Sequence, residues 1–94
     1  MNNARDARFY FANLGADVAR CVSAALENND DKFDDSLRHA RRTLAFLRKA
    51  NRPEAYEEGL LLVRALIHAR ERDTLESFNV QLHSLIAQYS PMIR

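Results

Sequence analysis

Ninety-four residues with 47% apolar content, no tryptophan and a formal net charge of +1 suit one small domain, residues 1–94, with a modest core. That apolar content excludes a disordered chain, and near-neutrality excludes a field strong enough to sweep the chain onto nucleic acid or an anionic membrane. Two glycines and two prolines leave almost no turn chemistry for a sheet, so an all-α chain is expected.

The opening MNNARDAR reads as neither a secretory signal nor a transit peptide. No run approaches the ~18 apolar residues of a spanning helix. The single cysteine, Cys21, excludes an internal disulfide framework. The expectation is a soluble cytoplasmic protein.

The first helical segment is expected over about Asn3–Asn28. Ala4, Ala7, Phe11, Leu14, Val18, Cys21 and Ala25 repeat with alternating steps of three and four, a heptad seam that Val22 and Leu26 widen. Ala12, Ala16 and Ala19 offer a second face of small side chains that would admit a close neighbour. Alanine's high helix propensity explains them equally well. Asn28–Asp31 is a loop and cap cluster. A second helix follows over about Asp31–Ala50, with the seam Phe33, Leu37, Ala40, Leu44, Leu47. Acids at its start and Arg48 and Lys49 at its end complement the helix dipole.

Asn51-Arg52-Pro53 breaks the chain, and Pro53 suits the first position of a new helix. Pro53–Arg72 contains the longest near-apolar run, Gly59–Ile67, broken by Arg64. Its apolar arc spans roughly 220°, twice that of an ordinary surface helix, so other helices must wrap it. Gly59 costs about 1 kcal/mol against alanine in mid-helix. A close helix approach would compensate, although a merely tolerated glycine reads as well. The last segment, Leu75 to about Tyr89, carries the seam Leu75, Phe78, Leu82, Leu85, Tyr89, Met92, and Ser90-Pro91 is expected to end it.

Arg70–Thr74 is the ambiguous junction. Asp73 with Glu76 resembles a capping box, and the seam slips there, so a turn is favoured. Neither glycine nor proline marks it. An antiparallel up-down four-helix bundle is therefore expected. The alternative is three helices, with one long helix over 53–90 completed by dimerisation.

Chemistry-bearing patterns are weak. His39, His68 and His83 are the three histidines, and no Glu-x-x-His or His-x-x-x-His pair supports a bundle metal site. His68-x-x-Glu71 has ligand spacing but stands alone, and Arg64 and His68 read as an exposed pair on a helix face. The acidic loop lacks the glycine and closing glutamate of a calcium loop. Cys21 falls in the seam and reads as core. No metal, cofactor or catalytic residue is expected.

Two surface features carry more. Lys32, Arg38, Arg41, Arg42, Arg48, Lys49 and Arg52 face Asp30, Asp31, Asp34 and Asp35, a local balance of +3. Arg38, Arg41, Arg42, Arg48 and Lys49 could track phosphates, although Phe46 is the one aromatic nearby in sequence. Pairs Asp34–Arg38 and Asp35–His39 at i,i+4 would instead make a solvated face. The second feature is apolar residues off their seams: Phe9, Phe46, Leu61 and Val80. Together with the over-wide third segment they suggest surface to bury, most simply in a homodimer. Phe9, Phe46 and Leu61 are the expected interface. The sequence thus reads first as a non-catalytic helical interaction module that self-associates and binds another protein. Nucleic-acid association through the basic second helix is the alternative.

Overall fold

The structure, a computed structural model, describes the backbone of residues 6–92 and the side chains of residues 6–84. Four helices follow one another: α1 (Ala7–Leu26), α2 (Asp30–Lys49), α3 (Pro53–Glu71) and α4 (Leu75–Met92). Three-residue connections join them, short enough to force neighbours antiparallel. Tyr10 accordingly meets Phe46, Asp17 meets Thr43, and Asp30 meets Arg70. The chain is an all-α four-helix bundle, with no strand among the described residues.

Each boundary has a local cause. Asp6 caps α1, its carboxylate accepting the Phe9 N–H at 3.1 Å. Asn29 caps α2, accepting the Lys32 N–H at 3.1 Å. Both side chains satisfy a donor that has no partner inside the helix. Pro53 opens α3 at its first turn, where a missing N–H costs nothing.

The helix ends share one device. Asn28, Asn51 and Asp73 adopt left-handed φ values of 58°, 66° and 58°. Behind Asn28, the Asn29 N–H reaches the Ala24 carbonyl at 2.8 Å and the Asn28 N–H reaches Ala25 at 3.0 Å. Behind Asp73, the Thr74 N–H reaches Ala69 at 2.8 Å. These paired bonds are Schellman closures, usually built on glycine. Asparagine and aspartate enter the left-handed region more cheaply than other side chains because they can hydrogen-bond locally.

The break at Arg70–Thr74 thus needs no glycine, and the alternative of one helix over 53–90 does not hold. Asp73, expected as a cap, instead closes α3. Thr74 takes the cap position of α4, its carbonyl accepting the Phe78 N–H at 3.0 Å. The far end of α4 also differs from expectation. The helix continues through Pro91 to Met92, since a proline in a final turn removes a single backbone bond.

The seams form one cluster. Phe11, Leu14, Val18, Cys21 and Val22 of α1 pack with Phe33, Ala40, Leu44 and Leu47 of α2, Leu62, Val63, Leu66 and Ala69 of α3, and Leu75, Phe78 and Leu82 of α4. The seam position Ala4 and the side chains of Leu85, Tyr89 and Met92 lie outside the described residues. Leu26 departs from its seam and is 44% exposed. Ala12 and Ala16 face solvent, so their role is helix propensity. A second buried flank of α1 runs instead through Asp17 and Ala24, and Gly15 is buried on the opposite flank beside Val22.

Although α3 carries the longest near-apolar run, α1 is the more deeply enclosed helix. It packs on α2 most extensively and also approaches α4 and α3. α2 and α4 make no close backbone approach among the described residues. The diagonal contact of α1 with α3 has a specific origin. A Cβ on Gly59 would lie 2.7 Å from Leu14 Cδ2, 3.0 Å from Leu47 Cδ2 and 3.1 Å from Leu44 Cδ1. Gly59 is therefore a notch that seats three leucine tips, not a tolerated glycine.

Gly59→Ala should gain about 1 kcal/mol of helix propensity and lose about 1–3 kcal/mol to overpacking. Since Leu14 and Leu47 are fully buried and have little room to swing, a net loss of about 1 kcal/mol is expected in urea unfolding. A stabilised variant would show that the notch is not needed.

Candidate functional site

The outer face of the α1/α2 hairpin is stitched at its middle by a buried carboxylate. Asp17 is 5% exposed. It accepts the Thr43 hydroxyl at 2.8 Å and an Arg20 N–H at 2.6 Å. Burying a charge is costly unless it is paired and hydrogen-bonded, and Thr43 and Arg20 meet that need from two helices. Loss of the Thr43 hydroxyl would leave one side of the carboxylate unsatisfied. Sequence reading missed Asp17, because a lone acid next to a seam looks like any solvated residue.

At the end of this face stand three aromatic rings. Phe9 meets Tyr10 edge to face at 5.4 Å, and Tyr10 stacks on Phe46 at 5.5 Å with 19° between the planes. Phe9 and Phe46 remain 39% and 45% exposed. Phe46 therefore does not stand alone, as the sequence suggested: the antiparallel pairing brings two rings from α1 beside it. Leu61, expected with them, is carried by α3. The three residues named as one interface thus sit on two element pairs.

The five basic residues of α2 are all exposed but divide by face. Arg38, Arg42 and Lys49 share the side of Phe46 at helical spacing, while Arg41 borders α3, where it lines an open pocket of about 390 Å³ with Phe33, Leu37, Ile67, Arg70 and Glu71. Arg48 lies on the same flank as Arg41 by the helix periodicity. Arg38 donates to Asp35 at 3.1 Å, and His39 lies 3.8 Å from the same carboxylate. The expected Asp34–Arg38 pair does not form. Asp34 sits 3.8 Å from Arg70 instead. Arg41, Arg42, Arg48 and Lys49 have no carboxylate within ion-pair distance among the described residues.

Arg70 ties α3 to the start of α2. It donates to Asp30 at 3.0 Å and lays its guanidinium 3.8 Å from the centre of the buried Phe33 ring. Cation–π attraction and a charged hydrogen bond thus join α3 to α2 at this end. Across the bundle, Leu61 stands 57% exposed at the lip of an open groove of about 180 Å³ between α3 and α4. Glu58, Leu62, Ala65, Phe78, Gln81 and Leu82 complete its lining. Val80 is 71% exposed on α4 and is not among the residues of that groove.

Arg64, His39, His68 and His83 are exposed, the histidines on three different helices. No group of three or more metal-ligating side chains occurs among the described residues, and no described helix is long and apolar enough to cross a membrane. Cys21 is fully buried. Desolvation, then the negative charge of Asp17, pushes its thiol from 9.0 up to about 11. The thiol is therefore protonated and a poor nucleophile near neutrality.

Thiol reagents should leave Cys21 unmodified in the folded protein at pH 8 and label it at once in denaturant. Because the folded thiol titrates higher than the unfolded one, its contribution to stability is complete below pH 9 and is lost as pH rises towards about 11. Rapid labelling of the native protein at pH 8 would contradict the buried position.

Compared with known proteins, the chain matches no family model, and no curated protein and no solved structure matches it.

Proposed function

We propose that the chain is a small non-catalytic helical interaction module of the cytoplasm that pairs with a second copy of itself and meets a further protein through its helix faces. The observation that carries the self-association is Leu61 at the lip of the α3/α4 groove. A projecting leucine beside an apolar groove is a knob next to a hole. On a two-fold axis, each copy's Leu61 enters the other's groove, which is the self-complementarity an isologous contact requires. Glu58 is the one charged residue among the described residues of the lining, so little charge has to be desolvated. The non-catalytic reading rests on the buried, protonated Cys21 thiol and on histidines dispersed over three helices. The cytoplasmic reading rests on that unpaired thiol, which a reducing compartment suits.

A second reading is favoured by one specific observation. Arg42 and Lys49 on the outer face of α2 are exposed cations with no carboxylate within ion-pair distance among the described residues, a footing for phosphates. On this reading the chain associates with nucleic acid through α2.

Light scattering over micromolar concentrations tests the first reading. The wild-type chain should return a dimer, and Leu61→Glu should return a monomer with unchanged helical circular dichroism. A wild-type monomer throughout, or a Leu61→Glu dimer, would remove the proposed pairing.

A further inference from the structure

The outer face of the α1/α2 hairpin combines two features that its sequence keeps apart. One is a stack of rings, Tyr10 on Phe46, braced by Phe9. The other is a row of cations on the helix that presents Phe46. Arg42 lies four residues before Phe46 and Lys49 three after it, so both border that ring on one helix face. Arg38 lies one further turn along. At the rise of an α-helix the row from Arg38 to Lys49 extends about 16 Å, the reach of a few nucleotides.

Building on the nucleic-acid reading, we infer that this face binds single-stranded nucleic acid, with a base stacked on the exposed side of Phe46 and flanking phosphates held by Arg42, Lys49 and Arg38. Every base has a flat π-face, but only an unpaired base can offer it to a side chain. A duplex hides those faces and presents phosphates alone. The rings therefore favour a single strand, and the cations supply affinity without sequence preference. Phe46 is bordered by Arg42 and Lys49, neither of which has a carboxylate within ion-pair distance among the described residues. Asp35 partly offsets Arg38, to which it is hydrogen-bonded at 3.1 Å, so the end nearer Lys49 is the stronger. The Asp17–Thr43–Arg20 bridge holds the two helices at the spacing that keeps Tyr10 against Phe46.

The test uses the full chain with a fluorescent 12-nucleotide oligothymidine and with a duplex of the same length. The oligothymidine should bind at least tenfold more tightly than the duplex. Three cations at a single strand give a slope of log K against log salt of about −2, so binding should weaken about 16-fold between 50 and 200 mM salt. Phe46→Ala should lower single-strand affinity by about tenfold or more and leave duplex binding unchanged, with helical content intact because the ring is exposed. Arg42→Ala should flatten the salt slope. Equal binding of strand and duplex, or full affinity in Phe46→Ala, would overturn the single-strand inference while sparing the broader nucleic-acid reading. No binding of either probe at 50 mM salt would overturn both.

Discussion

The bundle depends on how closely α1 can lie against α3 across the diagonal. In most four-helix arrangements that line is filled by side chains from all four helices. Here Gly59 removes a side chain from it, and Leu14, Leu44 and Leu47 close over the gap. Three helices meet at one point without polar groups. α1 gains most, since its seam from Phe11 to Val22 is shielded on three sides. The cost is carried by α3. Its apolar arc is wider than the notch can cover, which leaves Leu61 and Ala65 in solvent and Leu60 and Ile67 half-covered.

This geometry divides the surface. The α1/α2 side is polar and structured, with a buried carboxylate held from two helices, a stack of rings and a row of cations. The α3/α4 side carries an apolar-lined groove with Leu61 at its lip. Arg70 belongs to neither face. Its contacts to Asp30 and Phe33 join the end of α3 to the start of α2.

Much of the fold was legible in the sequence because burial leaves a periodic trace. The seams of the first two segments and the described part of the fourth, the cap cluster before α2, the Pro53 start of α3, and the off-seam exposure of Phe9, Phe46, Leu61 and Val80 all follow from residue spacing. The turns were harder. A helix end usually announces itself through glycine, and here asparagine and aspartate hold the left-handed positions. Asp73 could be read as the start of α4 when it is the close of α3. Only the bond from Thr74 back to Ala69 separates the two.

The surface site was the least legible part. Tyr10 and Phe46 are far apart in the chain, and their stacking depends on the register of the α1/α2 hairpin. Asp17 is ordinary in composition and acquires meaning only when Thr43 faces it. Gly59 was ambiguous for the same reason: a notch requires knowing what sits opposite. Pairwise geometry between helices, unlike the period within one, is set by packing that no single segment encodes.

The claim beneath all of this is that α1 is the enclosed helix on which the others close. Residue-resolved native-state hydrogen exchange tests it directly. The account requires the slowest amides to lie in the middle of α1, from Leu14 to Val22, with those of α4 opening at lower free energy. If the slowest set lies in α3 or α4 while the middle of α1 exchanges quickly, the helix taken as the centre of the fold is not its centre.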